Sequence, residues 1–159
     1  MIRFRSGDEW EGLDGMMDET IEELRPKAAL AMKRSVLRFE SELKKTLTGK
    51  RSGRTYRVSR AGNLHVASAP GEPPAVLFGA LRNSVGHTEP KWRDRTTIEA
   101  EVGTGLGVTS GGQESPAYAR RLEYGGADSR GVIIWARPYM APTAERVDPI
   151  IEEILERAL

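Results

Sequence analysis

Ile21-Glu22-Glu23-Leu24-Arg25-Pro26-Lys27-Ala28-Ala29-Leu30-Ala31-Met32-Lys33-Arg34-Ser35-Val36-Leu37-Arg38-Phe39-Glu40-Ser41-Glu42-Leu43-Lys44-Lys45-Thr46-Leu47 is the stretch that decides the fold. Ile21, Leu24, Ala28, Met32, Val36, Phe39, Leu43 and Leu47 step by threes and fours, which places them on one stripe of a long helix. Asp14 caps its start, acidic residues crowd its first turns, and Lys44 and Lys45 sit at the end that favours cations. Gly49 stops it. Pro26 interrupts the pattern, and its missing N–H predicts a kink or a split into helices over 15–24 and 26–47.

Working outward, Ile2-Arg3-Phe4-Arg5 alternates as a short strand does, and Ser6-Gly7-Asp8 breaks it. After the helix, Tyr56-Arg57-Val58 and Leu64-His65-Val66 read as a loose hairpin across Ala61-Gly62-Asn63. Ala69-Pro70-Gly71-Glu72-Pro73-Pro74 excludes helix and central strand. A short helix is expected over 76–83, then two strands between Ser84 and Thr104. In the second of these, Ile98, Ala100 and Val102 alternate with Glu99 and Glu101, the pattern of a sheet with one wet face. Pro116 opens a short helix that Gly125-Gly126 closes. Val132-Ile133-Ile134-Trp135 reads as a compact apolar strand whose tryptophan belongs to the core. Trp10 and Trp92 lie in polar surroundings, where a wide aromatic seals a core edge or anchors an interface. A last helix starts at Pro142, with Ala144, Val147, Ile150, Ile151, Ile154, Leu155 and Ala158 as its apolar face and Pro149 as an irregularity.

These elements predict an α+β fold: a long N-terminal helix and a C-terminal helix packed on one face of a small antiparallel sheet, with an extended proline-rich loop. The 159 residues fit one domain over 1–159, with 1–14 as an N-terminal segment and 49–75 as a flexible basic and proline-rich arm that orders against a partner.

The chain has no cysteine, so disulfides, a thiolate nucleophile and Cys-ligated zinc are excluded. No apolar run is long enough to span a bilayer, and no apolar stretch follows the basic start, so neither a membrane span nor a signal peptide is expected. Net charge is +1, but it is unevenly placed. Residues 8–23 hold Asp8, Glu9, Glu11, Asp14, Asp18, Glu19, Glu22 and Glu23 without a base. Residues 44–60 hold Lys44, Lys45, Lys50, Arg51, Arg54, Arg57 and Arg60 without an acid. Two solvated surfaces explain this, and so do two patches that meet different neighbours or each other across a subunit boundary. The basic stretch surrounds Tyr56, a mixture that nucleic-acid binders also use, so Arg54, Arg57 and Arg60 are candidates for sequence-independent contact with DNA.

Catalytic motifs are missing. His65 and His87 have no ligand-spaced companions. Gly103, Gly105 and Gly107 imitate a phosphate-binding fingerprint, but no helix start follows them to receive a phosphate. Glu99 and Glu101 read as the solvated face of a strand.

Ala67-Ser68-Ala69-Pro70-Gly71-Glu72-Pro73-Pro74 followed by Gly79-Ala80-Leu81-Arg82-Asn83-Ser84-Val85 resembles the centre of the gene-product-ten tail-component family of lambdoid siphophages. That family shows a proline-rich loop and then Thr-Gly-x-Leu-Arg-x-Ser. Tyr118-Ala119-Arg120-Arg121-Leu122-Glu123-Tyr124-Gly125 is similar to its Tyr-Ala segment ending in Glu-aromatic-Gly. Arg137-Pro138-Tyr139-Met140-Ala141-Pro142-Thr143-Ala144 is similar to its Arg-Pro-aromatic motif before the closing helix. The order is the family's, and with the long helix the likeness covers most of residues 15–159. Leu77-Phe78 departs from it, standing where the family has Asp-Thr. The resemblance implies a virion protein of the phage neck, made in the host cytoplasm. It implies a ring of about six copies between the head-closure or connector ring and the tail terminator and tube, with no catalysis and no cofactor. Lys50, Arg51, Arg54, Arg57, Arg60, Pro70, Gly71, Glu72, Pro73, Pro74, Arg82, Arg137 and Pro138 are the expected interface residues, and Arg54, Arg57 and Arg60 the candidates for touching DNA in the lumen.

Overall fold

A 33-residue helix, α1 (Met16–Thr48), organises the computed structural model, which describes residues 2–3, 16–58, 62–77, 79–106, 118–127 and 130–158. The expected split at Pro26 does not occur. Pro26 sits on the exposed side of a continuous helix, where a proline forfeits one backbone bond while the stripe beyond it stays in phase. Met32, Val36, Phe39, Leu43 and Leu47 are buried as their spacing predicts, and Ile21, Leu24 and Ala28 are half-buried. Burial of such a stripe contributes on the order of 10 kcal/mol before conformational entropy is subtracted.

The stripe packs on a three-stranded antiparallel sheet of β1 (Ile2–Arg3), β7 (Glu101–Thr104) and β4 (Val85–His87), in the order β1-β7-β4. Between β4 and β7 the chain makes a small hairpin of β5 (Lys91–Trp92) and β6 (Ile98–Glu99). Ile98, Ala100 and Val102 face inward while Glu99 and Glu101 stay partly wet, so the alternation was a faithful signal. The hairpin reaches α1, where the Arg25 guanidinium lies 4.2 Å from the centre of the Trp92 ring and donates to the Arg95 carbonyl at 2.7 Å. Trp92 thus seals the core edge.

α4 (Met140–Glu156) packs along the C-terminal half of α1 and buries Thr143, Val147 and Ile151. Thr143 Oγ1 donates to the Tyr139 carbonyl at 2.7 Å and lies 2.9 Å from Thr46 Oγ1, which satisfies a hydroxyl with no access to water. The helix starts at Met140, two residues before Pro142, and Pro149 lies inside it on the exposed side.

The remaining elements are short. β2 (Thr55–Arg57) and β3 (Leu64–Val66) form the expected hairpin, with Tyr56 opposite His65. The helix expected over 76–83 shrinks to one turn, α2 (Ala80–Asn83), because Gly79 takes a left-handed φ of 79°, which a right-handed helix cannot run through. α3 (Ala119–Tyr124) ends at Gly125, and β8 (Gly126–Ala127) pairs with β9 (Ile133–Ile134).

Trp135 is not in the core. It is 68% exposed, and Ile133 is 69% exposed. β9 pairs only with a Gly-Ala strand among the described residues, and it carries its apolar mass on a two-stranded ribbon beside the packed layers. The Asp14 cap, Trp10, Phe4, Arg5, Arg60, Ala61, Phe78, Pro116 and the glycine run after Leu106 lie outside the described residues.

Candidate functional site

The segment after α1 is tied to the end of that helix by two charged residues. Arg51 folds back over the last turn. Its Nη2 donates to the carbonyls of Thr46 at 2.7 Å and Leu47 at 3.1 Å, and its Nη1 to that of Gly49 at 2.7 Å. The same guanidinium reaches the Pro74 carbonyl, at 3.0 Å from Nη2. One cation therefore satisfies orphan carbonyls at the negative end of the helix dipole and holds the proline-rich loop.

Glu72 works from the other side. Its carboxylate accepts from the Ser52 hydroxyl at 2.6 Å, the Ser52 amide at 3.1 Å and the Ala69 amide at 2.9 Å. Gly53 lies against the loop backbone, donating its amide to the Ala67 carbonyl at 3.0 Å. A Cβ at Gly53 would stand 2.5 Å from that carbonyl oxygen, so only glycine allows the approach. Residues 67–75 are consequently an anchored loop, in place of the arm expected without contacts of its own. Arg51 and Glu72, expected to face a partner, direct these polar groups within the chain.

The Ser52 hydroxyl, the Ser52 and Ala69 amides and Arg51 hold the Glu72 carboxyl at about 2, below its ordinary 4.5. A folded value below the unfolded one gives stability that is complete above pH 4.5 and lost as pH falls through 2. The loop is therefore expected to loosen between pH 4.5 and 2, read as a falling protection factor against hydrogen exchange at Ser52 and Ala69. In Glu72→Gln protection should be low already at pH 7 and lack the acid step. An unchanged acid step in the variant would show that another group controls the loop.

The anchored loop forms one wall of a groove of about 460 Å³. Leu47, Pro74, Val76, Leu77, Leu81 and Leu122 supply apolar surface, and Tyr56, His65 and Tyr118 supply rings. Tyr56 and His65 meet edge to face across the β2–β3 hairpin at 5.3 Å. Two arginines, Arg82 from α2 and Arg137 from the approach to α4, complete the lining, which contains no carboxylate among the described residues. Arg82 is exposed and forms no hydrogen bond or ion pair among the described residues. Arg137 Nε is buried with no partner among them, an uncommon state for a donor.

The wall opposite the loop is fixed by Glu123. Its buried carboxylate accepts the amides of Tyr139 at 2.8 Å, Met140 at 3.0 Å and Ala141 at 3.1 Å, capping α4 from another helix. The Arg137 amide donates to the Leu122 carbonyl at 2.6 Å. Gly125 takes a φ of 75° with its Cβ position 3.2 Å from the Ile134 carbonyl, so the turn after α3 suits glycine. Burial and the adjacent Glu123 push the Tyr139 hydroxyl up to about 12, so it stays a neutral core phenol.

Of the expected interface residues, Pro74, Arg82 and Arg137 come together in this groove. Arg54 and Arg57 stand exposed on or beside β2, on either side of the groove residue Tyr56, and Lys50 is exposed at the end of α1. Pro70 and Gly71 form an exposed turn, and Pro73 and Pro138 are half-buried.

Sequence spacing missed a further cluster. His87 Nδ1 and Lys44 Nζ both hydrogen-bond the Glu40 carboxylate, joining β4 to α1. Burial pushes Glu40 up, but the hydrogen bonds and charges of Lys44 and His87 outweigh it and leave the carboxyl below its ordinary value. Among the described residues no group of three or more His, Cys, Asp or Glu is placed to hold a metal ion, and no helix is long and apolar enough to cross a membrane.

Comparison with protein-family models, curated proteins and solved structures finds no match to this chain.

Proposed function

We propose that this chain is a structural subunit of the neck of a long-tailed bacteriophage, joining head to tail as one copy of a ring and transforming no substrate. One observation supports the reading above others. The stretches on which the family resemblance rests lie far apart in sequence, yet they build a single unit. The proline-rich loop, the turn carrying Arg82, the helix carrying Glu123 and the approach to α4 line or support one groove. A motif set that serves one surface fits a protein whose work is docking. Its neighbours on this reading are further copies of itself, the head-closure or connector ring and the tail terminator and tube.

A ring closes when one patch of a subunit matches a different patch of the next. The acid-rich start of α1, with Glu22 and Glu23 exposed, and the hairpin carrying Arg54 and Arg57 have opposite charge. Reversing Arg54, Arg57 and Arg60 to glutamate is expected to shift the purified protein from oligomer toward monomer, read by mass measurement in solution. Rings that form normally would exclude this pairing. The wider reading is tested by adding the protein to separated phage heads and tails that lack it. Joined, infectious particles are expected, and a protein that stays monomeric and joins nothing would sink the reading.

The exposed Arg54 and Arg57 beside Tyr56 also favour a second reading, a small DNA-binding accessory protein of no sequence preference. That reading requires duplex affinity that falls steeply with salt and falls further in the charge-reversed variant.

A further inference from the structure

The groove combines an apolar bed with two guanidinium groups and, among the described residues, contains no acid to balance them. Such a surface is complementary to an extended peptide bearing carboxylates around a large apolar side chain. Ala75, Val76 and Leu77 line it and make no backbone hydrogen bond among the described residues. Arg137 lines the groove beside Arg82, so a second guanidinium is there for a carboxylate of the peptide.

Outside α1 and α4, which are already folded as helices, the sequence holds one stretch of this chemistry: Asp8-Glu9-Trp10-Glu11-Gly12-Leu13-Asp14, four carboxylates around a tryptophan and a leucine. It cannot serve its own groove. From Met16 to Leu47, α1 is about 45 Å long. A fully extended chain from Met16 back to Asp8 reaches at most about 28 Å. The end of α1 that lines the groove is therefore beyond the reach of this stretch in the same copy, and the groove takes it from another copy.

We infer that residues 8–14 of one copy dock in the groove of the next, with their carboxylates on Arg82 and Arg137 and an apolar side chain on the bed of Leu47, Val76 and Leu122. The contact is heterologous, joining the start of one long helix to the end of the next, which is the geometry that propagates around a ring. Tyr56 belongs to the groove, so the β2–β3 hairpin that carries it borders the same docking surface. The inference rests on the reading of the chain as a self-assembling subunit and specifies the contact that assembles it.

The test uses a fluorescent peptide of residues 7–15 titrated with the full chain at concentrations where it is monomeric. Saturable binding is expected, weakened about tenfold or more by Arg82→Glu, a change at an exposed side chain that should leave thermal stability intact. Leu77→Asp, also exposed, should weaken binding without Arg82 being touched. A peptide with Glu9→Arg and Glu11→Arg should fail on the native chain and regain affinity for the Arg82→Glu variant. No binding at millimolar peptide, or equal binding to native and Arg82→Glu protein, would overturn the inference. Mass measurement separates it from the wider reading. Oligomers undiminished by Trp10→Ala and Arg82→Glu sink the groove contact and spare the ring. A protein that binds the peptide yet never self-associates sinks the ring and leaves a peptide-binding groove.

Discussion

Glu123→Ala is expected to lower stability by about 3 kcal/mol, or about 6–12 °C in Tm for a domain of this size. The carboxylate receives three amides at the start of α4, and the Tyr139 amide lies in the core. Alanine would leave these donors without an acceptor, and water has little access to replace it. Glu123→Gln keeps an oxygen but turns an amide group toward the same donors, so about half the loss is expected, measured by chemical denaturation of the three proteins. The effect should extend to docking. α3 carries Leu122, and the chain entering α4 carries Arg137, both in the groove, so the alanine variant should bind the peptide of residues 7–15 more weakly even where it remains folded. A variant as stable as the native chain would mean that water caps α4 and that Glu123 is replaceable.

Glu123 also marks the boundary of what the chain announces in advance. Periodicity along one segment is local, and it located α1, α4 and the alternation of Ile98, Ala100 and Val102 from spacing alone. The pairings that shape the site are between segments. Glu123 meets Tyr139 across 16 residues, Glu72 meets Ser52 across 20, and Glu40 meets His87 across 47, with no spacing rule connecting them. A carboxylate looks the same in sequence whether it is solvated or capping a helix. The resemblance did single out Glu123, Gly125 and Arg137 as parts of recurring motifs, but their physical reason (a cap, a left-handed turn, a groove wall) needed the three-dimensional arrangement. Pro26 shows the opposite error. A rule about single residues allowed a kink or a split, and the packing of the stripe on both sides of an exposed proline rules out the split.

Phe39 and Trp135 provide the sharpest contrast between core and surface, because both are large aromatics in apolar stretches. Phe39 is 1% exposed, at the centre of the contact between α1 and the sheet. Phe39→Ala removes its transfer free energy and leaves a cavity that a long helix cannot collapse, so a loss of about 3–5 kcal/mol is expected by urea denaturation. Against a total stability of about 5–15 kcal/mol, that change brings the chain close to unfolding. Trp135→Ser should change stability by no more than about 0.5 kcal/mol, because the ring has little to lose when it is already in water. Tyr124, Val132 and Ile133 are exposed with it on or beside the β8–β9 ribbon, an apolar surface rarely left uncovered unless something docks there. The pair of measurements therefore separates two explanations of why these aromatics are present. A Trp135→Ser protein that is destabilised as strongly as Phe39→Ala would return the ribbon to the core. Full stability with impaired joining of heads to tails would assign the ribbon to a neighbour in the assembly.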